Sequence, residues 1–202
     1  MRNLQALVGR YWLILFSLAA LPVVHAGPSM PEGIRLYAPC MTCHLPNAWG
    51  SEDGTTPNLA GQNGHYLENR IDLFKANARL DAAIRVVTPH PAVETANEVA
   101  LLAEYLSHIE WSPRTVHGSG ENLQMAQETY TYICAACHGA DGRGQRGSRT
   151  PRIAGQHYPY LLIQIEAAAA SHRDLAPPEM TSALRSMGSE QKDALADYVS
   201  RL

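Results

Sequence analysis

Apolar residues recur at three- and four-residue spacing in several segments of this chain, and no stretch of useful length alternates with period two. The pattern therefore predicts helices and no sheet. Leu123, Ala126, Tyr130 and Ile133 mark one face of a helix over residues 121–133, entered through Gly118-Ser119-Gly120. Tyr66, Leu67, Arg70, Ile71 and Phe74 share a face of another, and Tyr160, Leu161, Gln164, Ile165 and Ala168 fall at matching positions of a third. Helices over residues 97–108 and 190–202 each carry Leu-Ala-x-Tyr, with Tyr105 and Tyr198 expected to pack between helices. An irregular proline-containing loop precedes each of these last helices, at residues 87–91 and 176–180. Residues 34–39 make only a short approach, because Pro39 limits how far a helix runs.

These elements come in pairs. Cys40-Met41-Thr42-Cys43-His44 and Cys134-Ala135-Ala136-Cys137-His138 are both C-x-x-C-H, 94 residues apart. Pro-x-[Leu/Ile]-Ala-Gly-Gln follows at 57–62 and at 151–156, in each case beginning 13 residues after the histidine. Equal spacing without a gap establishes an internal duplication. Residues 111–120, rich in Pro, Ser and Gly, read as a linker over the surface. The expected organisation is residues 27–110, a linker at 111–120, and residues 121–202. Each half is too small to be comfortable without a bound group at its centre.

C-x-x-C-H is the attachment signature of haem c: two thiols form thioethers to the porphyrin, and the next imidazole ligates iron. All four cysteines of the chain lie in the two copies. A zinc site would need a second local ligand pair, and a disulfide framework would be an unusual use of two identical units. The reading is two covalent haems, on Cys40, Cys43 and His44 and on Cys134, Cys137 and His138. Pro57 and Pro151 are expected to form turns, and a carbonyl at each could accept the proximal Nδ1–H and strengthen the ligand.

The iron's sixth ligand sets what each site does. In the second half it is expected to be Met180, with Met187 reading as core. The first half has no Met in the matching loop. It offers His90, between Pro89 and Pro91, 46 residues after His44, where Met180 lies 42 after His138. An open site or His65 are the alternatives there. His108, His117, His157 and His172 show no partner pattern and are expected at the surface.

Composition adds a location and a charge. Residues 1–26 carry Arg2, Arg10, an apolar run over 11–24 and a small-residue site at Val24-His25-Ala26, the pattern of a cleaved secretory signal. A retained membrane anchor is the alternative, and peripheral membrane association stays open. The chain's 16 basic residues less those two leave 14 against 19 acidic, a formal charge of −5. That argues against nucleic acid and for a cationic docking surface on a redox partner.

Cys-Ala-Ala-Cys-His-Gly-Ala-Asp-Gly at 134–142, Ala-Gly-Gln at 60–62 and 154–156, Tyr-Leu at 66–67 and 160–161 and the two Leu-Ala-x-Tyr runs resemble the dihaem cytochrome c4 family. The resemblance implies an all-α chain of two tandem class I cytochrome c domains packed face to face, in the periplasm, carrying electrons from quinol-oxidising complexes to oxidases or other acceptors. It also implies Met opposite both proximal histidines. The first half departs from that, with His90 near the expected Met and Leu45-Pro46 in place of the usual Gly. A bis-His first haem would have the lower potential. Two rival readings remain: a redox enzyme with an open or displaceable sixth site at the first haem, acting in small-molecule oxidation or peroxide reduction, and an electron-transfer subunit of a larger oxidoreductase.

Overall fold

The computed structural model describes residues 30–76, 93–112, 114–145, 147–173 and 176–202. His90 and its loop lie outside the described residues. All regular structure among the described residues is helical.

The same helical plan is built twice. In the first half, α1 (Met30–Tyr37) leads through a 3₁₀ turn (Ala38–Cys40) into the short α2 (Met41–His44). Both α1 and α3 (Gly64–Ala76) pack on α4 (Ala96–His108). In the second half, α5 (Leu123–Thr129) leads through a π-helical turn (Tyr130–Cys134) into α6 (Ala135–His138). There α5 and α7 (Tyr158–Ala169) pack on α9 (Ser189–Ser200), and α8 (Pro178–Arg185) packs on α7. The apolar faces predicted from spacing form the two cores. Leu36, Tyr37, Leu67, Leu102, Tyr105 and Leu106 are buried in one. Tyr130, Leu161, Ile165, Leu184, Met187, Leu195 and Val199 are buried in the other. Each such large side chain contributes roughly 1.5–3 kcal/mol on burial.

Helix ends follow local chemistry. Thr95 caps α4 by accepting from Glu98 N–H, and the Glu98 carboxylate accepts from Thr95 N–H, a reciprocal capping box. Pro178 opens α8, where its missing N–H costs nothing. Met180 therefore stands in the first turn of a helix, where the sequence placed it in a loop. Gly33 lets α1 approach α4: a Cβ there would lie 2.5 Å from the Tyr105 side chain.

The two halves differ by one residue at a fixed anchor. Tyr37 stands three residues before Cys40, and Tyr130 four before Cys134. Yet the Tyr37 hydroxyl donates to Leu45 O (2.7 Å) and the Tyr130 hydroxyl to Gly139 O (2.6 Å), the equivalent carbonyls. Their rings meet Tyr105 and Tyr198 at centroid distances of 6.0 and 5.7 Å. With both ends held alike, the turn between must absorb the extra residue. A 3₁₀ turn advances in fewer residues and a π turn in more, and each half uses the one its length demands. The wide turn carries Ile133 off its predicted face, to 49% exposure.

The stretch expected as a linker is strapped to the second half through Trp111, Thr115, Gly118 and Gly120. The Trp111 indole N–H and the Thr115 hydroxyl both donate to Gly155 O, at 3.2 and 3.0 Å. The Gly118 and Gly120 amides donate to the Asp197 carboxylate at 2.8 and 2.6 Å.

Candidate haem sites

Each C-x-x-C-H motif is a short helical turn, which sets both sulfurs on one side and brings the histidine round behind them. The four cysteines are unpaired: Cys40 and Cys134 are half-buried, Cys43 and Cys137 exposed. Burial raises the Cys40 thiol's pKa, and burial with the neighbouring Cys137 pushes that of Cys134 up to about 11. Both turns end in a residue of positive φ. Gly139 has φ +80°, and Leu45 has φ +63° with ψ 162°. That region is nearly exclusive to glycine and costs a side chain about 1–3 kcal/mol. The Tyr37 hydroxyl on Leu45 O helps to hold it there.

Both histidines are turned the same way. His44 Nδ1–H donates to Pro57 O at 3.0 Å, and His138 Nδ1–H to Pro151 O at 3.2 Å. A carbonyl only accepts, so the proton sits on Nδ1 and the Nε2 lone pair is left for a metal. Burial lowers the pKa of both rings, the carbonyl bond opposes it, and Arg173 adds to the lowering at His138. The neutral, ligating form is thus the favoured one. Among the described residues no three His, Cys, Asp or Glu side chains converge to hold a metal ion alone. The zinc reading has no such site there, and the disulfide reading has no bond. Two thiols on one turn beside an oriented neutral imidazole fit haem c.

The Pro-x-[Leu/Ile]-Ala-Gly-Gln loops carry those carbonyls. Leu59 and Ala60 amides donate to Ala48 O, as Ile153 and Ala154 amides donate to Gly142 O. Gly61 and Gly155, at φ +62° and +64°, donate to Leu106 O and Val199 O in the closing helices. At Gly155 a Cβ would lie 2.9 Å from the Trp111 indole nitrogen, so a side chain there would displace the strap.

The loops also bind each other. Gln156 Oε1 accepts from Asn58 N–H (2.9 Å), and its Nε2 donates to Asn58 O (2.8 Å). Gln62 Oε1 accepts from Arg152 N–H (2.7 Å), and its Nε2 donates to Arg152 O (2.8 Å). His157, expected at the surface, is buried at this junction with 4% exposure. Its Nδ1 accepts from Val116 N–H (3.2 Å), so its Nε2–H donates to Trp49 O (2.7 Å). The sequence offered no signal for this beyond His157 following the conspicuous Gln.

Of the distal candidates, Met180 is half-buried against the second core, while Met187 is buried within it. His65 is exposed, with Nδ1 3.3 Å from Glu68.

The helical plan and the turn that presents two thiols and an imidazole define a c-type cytochrome with the class I fold. Residues 124–202 match the model of the cytochrome c family. The chain is 28% identical over 166 residues to the thiosulfate dehydrogenase electron acceptor of Stutzerimonas stutzeri, covering 79% of this chain and 76% of that protein. It is 26% identical to cytochrome c4 of Azotobacter vinelandii, covering 75% and 78%. The solved cytochrome c4 of Acidithiobacillus ferrooxidans superposes with TM-score 0.66 at 24% identity, over 82% of this chain and 99% of that one. The chain thus resembles cytochrome c4 and related electron-transfer cytochromes, and its C-x-x-C-H turns fit covalent haem c. Among the described residues no helix is long and apolar enough to cross a membrane.

Proposed function

We propose that the protein is a periplasmic dihaem cytochrome that passes single electrons between protein partners. One haem is held in residues 27–110 and one in residues 121–202. The observation that carries this is the repeated geometry: in both halves a C-x-x-C-H turn presents an imidazole whose Nδ1–H is fixed on a proline carbonyl. Haem c supplies a one-electron Fe(III)/Fe(II) couple. Cys40, Cys43, Cys134 and Cys137 would tether the two haems, and His44 and His138 would bind iron through Nε2. The Pro57 and Pro151 carbonyls keep each ring from rotating and would hold its Nε2 in a fixed orientation toward iron. Met180 would complete the ligand set of the second iron and His90, flanked in sequence by Pro89 and Pro91, that of the first. With that ligand set the first haem would have the lower potential of the two.

A redox titration with carbon monoxide added to the reduced holoprotein tests this, in wild type and in His90→Ala. The expected result is two separate potentials and no carbon monoxide binding in wild type, with loss of the lower potential and a new binding site in the variant. Carbon monoxide binding by the wild type would overturn the carrier reading in favour of an enzyme with an open first site.

A second reading is favoured by the relative that is named an electron acceptor of thiosulfate dehydrogenase. Here the protein takes electrons directly from a dehydrogenase that oxidises a small sulfur substrate. Reduction of the purified cytochrome by such a dehydrogenase and thiosulfate, faster than by thiosulfate alone, would support it.

A further inference from the structure

The two glutamines that lock the halves together touch more than the partner's backbone. The amide of Asn58 belongs to the same peptide group as the Pro57 carbonyl. So Gln156 Oε1 accepts from the N–H of the very peptide whose oxygen accepts from His44 Nδ1–H. The mirror arrangement runs from Gln62 Oε1 through the Pro151–Arg152 peptide to His138 Nδ1–H. Each chain has two hydrogen bonds in series, at 2.9 and 3.0 Å in one and 2.7 and 3.2 Å in the other. Each crosses from one half to the other. Gln62 and Gln156 are 5% and 4% exposed, so water does not compete for these bonds.

A peptide group is a conjugated dipole. Accepting at its N–H draws the proton outward and increases the negative charge on its oxygen. Hydrogen bonds in such chains strengthen one another by roughly 10–30% each. A more negative Pro57 oxygen pulls harder on His44 Nδ1–H and makes the imidazole a stronger donor to iron, which favours the ferric state. We propose that Gln62 and Gln156 are positioning residues that act crosswise, each setting the donor strength of the opposite half's proximal histidine. The proposal rests on the dihaem reading above. It makes the domain junction a coupling element: neither half reaches its full ligand field unless the other is docked.

The chemistry gives a sign and an address. Gln156→Met keeps the length and bulk but removes the acceptor, so the Pro57 oxygen weakens and the first haem's potential rises. Gln62→Met raises that of the second haem. The expected size is roughly a threefold change in the Fe(III)/Fe(II) ratio at fixed applied potential, about 28 mV at 59 mV per tenfold for one electron.

The test is a redox titration of each holoprotein variant. It is read by nuclear magnetic resonance, with each haem's signals assigned through contacts to its own half. The Nδ1–H shifts of His44 and His138 are measured in the reduced, diamagnetic protein. The expected result is crosswise: the substitution in one half moves the potential and the Nδ1–H shift in the other, and leaves its own haem in place. A change confined to the substituted half, an equal change at both haems, or no change overturns the proposal. A merely structural role for the glutamines would give one of the first two. Should Gln156→Met not assemble, Gln156→Asn shortens the side chain enough to break the same bond while keeping its polarity. In the wild type itself, the Asn58 and Arg152 amides must both resist hydrogen exchange, and rapid exchange at either refutes the relay without any variant. Failure of either C-x-x-C-H motif to take up haem would instead refute the dihaem reading beneath it.

Discussion

Asp197 is the most heavily engaged carboxylate in the described structure, and its removal has a calculable effect. It is 1% exposed, inside α9. It accepts from Gly118 N–H at 2.8 Å, from Gly120 N–H at 2.6 Å, and from Arg201 Nε–H at 2.8 Å and Nη2–H at 3.3 Å. These bonds fasten the strap to the second half, and Gly118 comes so close that a Cβ there would lie 2.8 Å from the carboxyl carbon. Hydrogen bonds to a charged group contribute about 1.5–3 kcal/mol each. Asp197→Ala removes all four, but the strap can lift, and water then serves the freed amides. The expected loss is therefore about 2–4 kcal/mol rather than the full sum. Burial raises the Asp197 pKa, while Arg201 and the Gly120 and Gly118 amides lower it, and the lowering wins. A carboxylate whose folded pKa lies below its unfolded value stabilises the fold above the unfolded pKa, and that stability fades as pH falls through the folded one. The difference between wild type and Asp197→Ala is thus full at neutral pH and shrinks below about pH 4. Urea denaturation of the two holoproteins, followed by far-ultraviolet circular dichroism at pH 7 and pH 3.5, measures both quantities. A loss under 1 kcal/mol at pH 7, or one that does not shrink in acid, would refute the reasoning.

Leu45 occupies backbone space suited to glycine, so Leu45→Gly should relieve strain. After the loss of its half-buried side chain, a net stabilisation of up to about 1 kcal/mol is expected, seen as a higher calorimetric Tm. Destabilisation by a similar amount would mean that the side chain matters more than its backbone. Gly33→Ala drives a methyl into Tyr105 and should cost about 1–3 kcal/mol by thermal unfolding, against a few tenths or a gain if α1 can move outward. Replacing Cys40 and Cys43 together by Ala should halve the haem-to-protein ratio measured after denaturation. A ratio that stays unchanged would deny the first motif its haem.

What could be read from the chain alone is whatever depends on residues close together in sequence. The C-x-x-C-H turns, the 13-residue step to each proline, the helical faces and the Leu-Ala-x-Tyr runs are all local patterns, and their repetition made the two-domain plan legible. The fold class followed because a helix announces itself through a spacing of three and four. Local reading failed where a partner lies far along the chain. Tyr130 was placed correctly on a helical face, but the one-residue difference from Tyr37 gave no hint of its consequence. Only the equivalent anchors, Tyr105 and Leu45 O in the first half and Tyr198 and Gly139 O in the second, force a 3₁₀ turn in one and a π turn in the other. His157 looked like a surface histidine because its partners, Trp49 and Val116, are 108 and 41 residues away. The paired glutamines were visible as a repeated letter, but their mutual grip was not. A side-chain amide has no period and no preferred partner in sequence, and its two donors and one acceptor find their targets only once both halves are folded and docked. Tertiary structure alone therefore decided how the two halves meet, because that contact is made by side chains on distant backbone groups whose positions no local pattern encodes.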